Sequence, residues 1–382
     1  MASEVKNPDL PQETSPESLE VVQPEPEPAE AAEEKKARED SQRYRFLPIP
    51  VFITEPAIGE GLGVALTLFH PVNDGTTSLP PAATPDSIAH LEDDREPPPV
   101  VTAVFGAYTS SKTWLAGVGH VNHWRQDSIR YTGALAGAHI NSEFYIVGLP
   151  ISYSMEGVLL YQDVKFRLGS SDFFLGTALS YMNADLDFRR KPDEPVPDSL
   201  FNANIKNIGL ALRGQYETRD SALHPANGQL IDLSVWRYDD AIGSNRNYWS
   251  AKLKAISFHQ LTDKFVLGLR LELAAVDGEP PFFAYPWVSL RGIPAMRYQN
   301  KVAGAVEIEA RFRVARKWEV LAFTGKGFTS DDVPFFENPD NIYSYGLGAR
   351  YNIFESHKVW GGIDVAKGPE DWAWYVQVGH PW

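Results

Sequence analysis

The chain lacks cysteine and any long apolar run. None of its 382 residues is Cys, which excludes disulfide frameworks, thiol nucleophiles and thiolate metal sites. A cysteine-free composition suits an oxidising cell envelope. Nor is there a stretch of about 18 apolar residues, so the sequence predicts no transmembrane helix.

The chain also lacks a basic stripe and a visible export signal. Its formal net charge is −15, and about half of this lies before residue 45; this balance disfavours nucleic acid as a partner. Met1 to Asp40 has no basic segment followed by an apolar one, so no secretory signal peptide is visible. For an exported protein, we expect that the signal has been removed or that the start is truncated.

Catalytic and metal-binding patterns are missing as well. There is no G-x-S-x-G motif. His120 and His123 are three residues apart, which places them on opposite faces of a strand and not around one metal. The sequence therefore predicts no enzyme, no catalytic residue, no metal site and no cofactor. The alternative is a membrane-embedded barrel enzyme that uses Ser, His and acidic groups at its rim.

Composition divides the chain into two parts. Residues 1–44 are rich in Glu, Pro and Ala and include P-E-P-E-P at Pro24 to Pro28. Such a segment buries too little apolar surface to offset the entropy of ordering, so we predict a disordered acidic tail. Residues 45–382 form the second part, interrupted by a polar, Pro-rich loop from Val72 to Pro99 that we predict to be flexible.

Strand-like alternation dominates the second part. Aromatic residues make up 12% of the chain, with 10 Trp and 16 Tyr, as interfacial girdles would require. The clearest pattern has Val306, Ile308, Ala310, Phe312 and Val314 on one face, and Glu307, Glu309, Arg311 and Arg313 on the other. A similar pattern precedes it, with Phe265, Leu267, Leu269, Leu271 and Leu273 opposite Arg270 and Glu272.

About 16 such segments lie between Pro48 and Gly379. They include Ser128 to His139, Met155 to Leu168 and Asp172 to Asp187, and a polar loop is predicted from Arg189 to Ser199. A soluble sandwich buries the apolar face, whereas an outer-membrane barrel turns it to lipid and keeps the charges in the lumen. Alternation alone does not separate these two folds.

Three motifs favour the barrel. The first is S-L-R-G-I-P-A-M-R-Y-Q-N at Ser289 to Asn300, in which Leu290, Arg291, Gly292 and Ile293 form the core. The second is E-T-R-D-S-A-L-H-P-A-N-G at Glu217 to Gly228, and the third is the aromatic end of the chain. The matching positions of the last two are Thr218, Arg219, Asp220, Pro225 and Gly228, and Trp374, Val376, Val378 and Trp382.

These motifs resemble the barrel-plugging loop, a turn that precedes a long strand and the C-terminal signal of the BamA/TamA family of outer-membrane barrels. The resemblance implies an all-β, antiparallel transmembrane β-barrel with an extracellular loop folded into its lumen. It also implies a bacterial outer-membrane location, the lipid bilayer as a partner, and insertion or translocation of client proteins. Family members usually carry periplasmic POTRA domains, for which residues 1–44 are too short. The alternatives are a passive pore or structural barrel, and a soluble β-rich binding protein.

Arg291 is the residue on which the loop is expected to depend. Its guanidinium stays charged, so inside a lumen it needs an anionic partner. The inward face of the following strand offers Glu307 or Glu309. The resemblance implies a second acidic partner on the next strand, but Gly325 stands at that position. Pro48 and Pro50, in the first strand, remove two ladder donors and are expected to weaken its junction with the last strand, unless the strand simply begins after them.

Overall fold

The computed structural model describes residues 45–53, 58–70, 100–146, 149–191, 194–195, 203–330, 339, 341–354 and 359–382. The predicted tail at 1–44 and the predicted flexible loop at 72–99 lie outside these residues. The remainder is an all-β chain that forms a nearly closed barrel of 16 antiparallel strands, as the sequence predicts.

The strands alternate up and down, and each pairs with the next along the chain. They are β1 Arg45–Ile53, β2 Gly61–Phe69, β3 Val101–Thr109, β4 Trp114–Trp124, β5 Ile129–Ile146, β6 Leu149–Arg167, β7 Phe173–Lys191, β8 Ala203–Glu217, β9 Gly228–Tyr238, β10 Tyr248–Thr262, β11 Phe265–Gly278, β12 Val302–Ala315, β13 Trp318–Thr329, β14 Ile342–Phe354, β15 Val359–Lys367 and β16 Trp372–Val378.

The seam between β1 and β16 closes the barrel. The two strands contact each other, and the rings of Phe52 and Trp374 lie 6.0 Å apart across the seam. Within the described residues, however, no hydrogen-bonded ladder joins β1 to β16 as ladders join every other neighbouring pair. The seam is therefore held by side chains more than by backbone.

The two faces of the wall have opposite polarity. On β12 the outward Val306, Ile308 and Phe312 are exposed, while the inward Glu307, Glu309 and Arg311 are buried. On β11 the inward Arg270 and Glu272 are buried in the same way. This is the arrangement of a transmembrane barrel, with lipid outside and charge inside. No helix among the described residues has the length and apolarity to cross a membrane.

Strands β5, β6 and β7 are longer than the sequence predicts. They contain 18, 19 and 19 residues, whereas a span needs about 9–11. The outward face of β7 changes from Leu175 and Leu179 to Asn183 and Asp185, so the strand continues past its apolar belt. The predicted loop from Arg189 to Ser199 is therefore wrong in part, because β7 reaches Lys191 and pairs there with a two-residue strand, Glu194–Pro195.

The connection between β11 and β12, residues 279–301, folds into the barrel. One apolar cluster within it joins Val288, Leu290, Ile293 and Tyr298 to the wall. A second cluster packs its Phe282, Phe283 and Met296 against Tyr153, Leu186 and Ile205 on the inner face of β6, β7 and β8. The long strands β6 and β7 thus contact the part of the loop that contains these three residues.

Candidate functional site in the barrel lumen

Arg291 is buried inside the barrel with carboxylates around it. Its Nε donates to Glu307 Oε1 at 2.7 Å, and its Nη2 lies 2.9 Å from Glu309 Oε2. Its guanidinium also covers the ring of Phe323, 3.5 Å from the centroid. The structure therefore brings Arg291 together with both Glu307 and Glu309, which the sequence offers as alternatives.

A third carboxylate, which sequence reasoning missed, completes this site. Arg291 Nη1 donates to Asp364 Oδ2 on β15 at 2.9 Å, and Asp364 is fully buried. Arg350 holds the same carboxylate with two hydrogen bonds of 2.6 and 2.9 Å. The second acidic partner thus comes from β15 and not from position 325.

Glycines make room for the loop on the inner face of β13. A Cβ at Gly325 would lie 2.6 Å from Leu290 Cδ2, and one at Gly327 would lie 2.2 Å from Val288 Cγ1. Gly292 has φ +88° and a Cβ there would meet the backbone of Gly368 at 2.9 Å. A side chain at Gly292 would meet backbone and displace the loop, whereas one at Gly325 or Gly327 would push on the side chain of Leu290 or Val288. Gly325 therefore leaves room for Leu290.

The turn that contains the T-R-D motif enters the lumen from the opposite end. Asp220 accepts hydrogen bonds from the backbone N–H groups of Ala226 and Asn227 at 2.9 and 3.1 Å. Thr218 Oγ1 accepts from Gln229 N at 2.9 Å, and Gly228 has φ +98°. Arg219 pairs with Glu217, Nε to Oε1, at 2.7 Å. These bonds give the turn a fixed shape.

The turn and the loop meet through β12. Arg311 donates to the carbonyl oxygen of Pro225 and lies beside His224, whose Nε2 is 2.9 Å from Glu319 Oε2. Two residues along β12, Glu309 contacts Arg291 of the loop. A connected set of charged side chains therefore runs from the plugging loop at one end to the T-R-D turn at the other.

The last residues of the chain also lie in the lumen. His380 Nε2 is 3.0 Å from Glu309 Oε1, and the ring of Trp382 stacks on Phe258 at 5.8 Å. Trp374 and Val378 face outward and are exposed, and Val376 shares their parity. Trp382 has the same parity in the sequence but lies in the lumen, because β16 ends at Val378 and Gly379, at φ +79°, turns the chain inward.

Burial changes the pKa of two imidazoles in the lumen, those of His380 and His224. Burial lowers the pKa of His380 to about 4, with Glu309 opposing the shift and Arg311 adding to it. Burial likewise lowers the pKa of His224, against the effect of Glu319. Both rings are therefore neutral at pH 7 and act as hydrogen-bonding groups between charged neighbours.

Some free volume remains beside Arg291. A cavity of about 260 Å³ lies between the loop, Tyr375 and Gln377 of β16, and Pro381 and Trp382. Across the described part of the chain, no three His, Asp or Glu side chains are arranged to hold a metal ion. The chemistry of the site is thus electrostatic anchoring of a loop.

No protein-family model matches this chain, and no curated protein matches it in sequence. Among solved structures it is similar to BamA from Haemophilus ducreyi lacking POTRA domains 1–3, with 10% identity, a TM-score of 0.56, and coverage of 92% of this chain and 78% of that one. It is also similar to CdiB from Escherichia coli, with 11% identity, a TM-score of 0.57, and coverage of 87% and 62%. A third similar structure is CdiB from Acinetobacter baumannii, with 12% identity, a TM-score of 0.54, and coverage of 88% of this chain and 60% of that one.

These likenesses are of fold. At 10 to 12% identity, the shared feature is a barrel of 16 strands. The chain spans less than two thirds of the length of either CdiB chain.

Proposed function

We propose that this protein is a bacterial outer-membrane barrel that assists the insertion or translocation of proteins at that membrane. The observation that carries the proposal is the coincidence of a plugged lumen with a seam at which no backbone ladder joins the described residues of β1 and β16. A plug blocks free diffusion, while a weak seam offers a strand edge to which a client strand can add. The membrane setting rests on the apolar outward belt and on the barrel fold shared with BamA and CdiB.

Pro48 and Pro50 explain the weakness of the seam. Both lie inside β1, which begins at Arg45, so the alternative that the strand begins after them is wrong. The β1–β2 ladder runs through both without a register shift. Proline has no N–H, and the nitrogens of alternate residues point to the same edge. An unbroken ladder therefore requires both proline nitrogens to face away from β2, toward β16.

The wall next to the seam differs from the rest of the lumen. Among the described side chains, the inward positions of β1 to β4 carry no Asp, Glu, Lys or Arg; they hold residues such as Ile49, Ala65, Ala103 and Phe105. An apolar wall imposes less desolvation cost on a hydrophobic client strand than a charged one would. This is the side on which a client entering through the seam would lie.

The alternative is a passive pore or a structural barrel. The loop and the chain end lie inside the lumen, where they contact Glu309 and Phe258, and this supports a gated barrel over an open pore. The proposal assigns no catalytic reaction and no cofactor to the barrel. Its partners are the lipid bilayer and client proteins.

A disulfide across the seam tests the proposal. The chain contains no Cys, so Phe52→Cys with Trp374→Cys introduces the only thiols. In cells that depend on this protein, we expect oxidation to stop the surface exposure of client proteins, measured by protease shaving, and reduction to restore it. The single substitutions are the controls.

Planar bilayers distinguish the alternative. If the oxidised and reduced double variants support equal client exposure, the seam has no role and the proposal fails. Steady ohmic conductance from the wild-type barrel, unchanged by the disulfide, would then favour a passive pore.

A further inference from the structure

An aromatic panel lies on the inner wall of the barrel, away from Arg291. We define it as Tyr161, Trp236, Tyr238 and Tyr248. Tyr161 and Trp236 have ring centroids 6.1 Å apart, Trp236 and Tyr238 stack at 6.0 Å, and Tyr238 and Tyr248 stack at 4.3 Å with an interplanar angle of 9°. The four rings thus form one continuous surface across β6 to β10.

Small residues beneath the rings make this surface possible. Register places Tyr161, Ser180, Gly209, Tyr238 and Tyr248 in a single cross-strand row. A Cβ at Gly209 would lie 2.4 Å from the ring of Tyr238, so this ring covers the lumen side of Gly209. Tyr161, Trp236 and Tyr238 are only partly buried, which leaves ring surface open to the lumen.

A cavity adjoins the panel. It has a volume of about 240 Å³, and Tyr238 and Tyr248 form one side of it. Leu159, which faces the lumen and is 40% exposed, lines another side together with Phe283 of the plugging loop. The hydroxyls of Ser180 and Ser250 supply polar groups within this largely apolar lining.

Hydrogen-bonding groups border the panel on both sides. The hydroxyl of Tyr161 accepts from Arg213 at 2.7 Å and donates to Asp163 at 3.1 Å. On the other side, Asn207 donates to the hydroxyl of Tyr248 at 2.7 Å. Arg213 is also paired with Asp232 at 2.8 Å. The charges of this region are therefore already matched, so a charged ligand gains little from them.

We infer that the panel and its cavity form a binding site for a neutral sugar ring, as at the end of a glycan chain. The apolar C–H faces of a pyranose match the faces of aromatic rings, and its hydroxyls match the bordering polar groups. The hydroxyls of Ser180, which is hydrogen-bonded to Tyr238, and of Ser250 give the lining polar groups that a purely apolar ligand does not use. A concave, mostly apolar surface with a few placed polar groups is the usual form of a small-molecule site.

Saturation-transfer NMR tests this inference with maltohexaose as the probe. The full chain is purified in lauryldimethylamine oxide, a detergent without a sugar headgroup. We expect magnetisation transfer from the protein to pyranose ring protons of the wild type. Trp236→Ala is expected to weaken the transfer about fivefold, which is the scale of one aromatic contact. Trp236→Phe, which keeps a ring, is expected to retain most of it.

Trp249→Ala is the matched control, because Trp249 is on the neighbouring strand but faces outward and is exposed; its transfer should equal that of the wild type. Heat-modifiable gel migration checks that each variant is folded. The inference is overturned if the wild type shows no transfer, if Trp236→Ala in folded form transfers as well as the wild type, or if 1-octanol at equal concentration displaces the sugar completely.

Discussion

At the scale of single residues, Arg291 is the point on which the plugging loop depends. Three buried carboxylates meet at its guanidinium, those of Glu307, Glu309 and Asp364. Glu307 is shared with Arg270 at 3.0 Å, and Asp364 is shared with Arg350 at 2.6 Å. Glu309 has His380, which is neutral at pH 7, and a distant Arg311 at 3.9 Å. Loss of Arg291 therefore leaves Glu309 with the weakest compensation.

Replacing Arg291 by Ala is expected to release the loop. Removing one partner of a buried ion pair costs about 3–5 kcal/mol, because the remaining charges stay buried without compensation. We expect a lower temperature for the transition in heat-modifiable gel migration, and new trypsin cleavage after Arg297 or Lys301. Arg291→Lys should restore part of the stability, since it keeps the charge but not the forked geometry.

Arg313 supplies the matched control for this prediction. Its side chain is 44% exposed and pairs with Glu319 at 3.2 Å. Arg313→Ala is therefore expected to change the free energy of unfolding by less than about 1 kcal/mol. An Arg291→Ala barrel with unchanged melting and an uncut loop would mean that apolar packing, and not the ion pairs, holds the plug.

At the scale of elements, alternation in the sequence predicts the presence of the strands well and the positions of their ends poorly. Each of the 16 strand patterns overlaps a strand of the structure, because the period of two is set by lipid on one side and lumen on the other. β5, however, continues from the predicted His139 to Ile146. Beyond the apolar belt the outward residues become polar, so the contrast that marks a membrane strand is reduced there.

The sequence predicts some partners of Arg291 and misses others. Glu307 and Glu309 could be predicted from the sequence because they lie on the strand that follows the loop. Asp364 could not, because its place beside Arg291 depends on the register of three successive ladders from β12 to β15. The inward turn of Trp382 depends on one residue, Gly379, in a left-handed conformation. Spacing along the chain carries none of this information.

The prolines of β1 lead to a prediction about the seam. In the double variant Pro48→Val with Pro50→Val, two N–H groups return on the edge that faces β16. We expect each new backbone hydrogen bond to add about 0.5–1.5 kcal/mol, seen as a higher melting temperature and slower hydrogen exchange of β16. Client insertion should fall, because the seam opens less often.

Val51→Pro is the opposing control, because Val51 pairs with Gly63 and its N–H is on the β2 side of β1. That substitution should lower stability by breaking the β1–β2 ladder. If the double variant melts as the wild type does and inserts clients as well, the prolines do not set the strength of the seam.

At the scale of the whole molecule, the lumen has two unlike halves. Among the described side chains, the inner wall of β1 to β4 carries no Asp, Glu, Lys or Arg, whereas charged side chains that hold the loop, the T-R-D turn and the chain end lie on β11 to β15. Elements from both ends of the barrel and the last residues of the chain converge on Glu309 and Arg311 of β12. The plug is therefore fixed to β12 and β15 and also contacts β16 through Tyr375, whereas the apolar wall lines the β1 side of the seam.

This convergence predicts that acid loosens the plug. Burial lowers the pKa of His380 to about 4, below the value of about 6.5 expected in the unfolded chain. The neutral ring faces Glu309, Arg291 and Arg311 and lies against Phe258. A lowered folded pKa means that the stabilising contribution is complete above pH 6.5 and is lost as pH falls through 4.

We therefore expect the melting temperature of the wild-type barrel to fall between about pH 6.5 and pH 4, with His380 contributing at most about 3 kcal/mol. His380→Gln, which can still donate to Glu309, should flatten this part of the pH profile. His139→Gln removes an imidazole from the outer surface, where it pairs with Glu156 at 3.2 Å, and should leave the profile unchanged. If His380→Gln keeps the full wild-type slope, the ring carries a proton in the folded barrel, and His380 and Glu309 form an ion pair that fixes the chain end to β12.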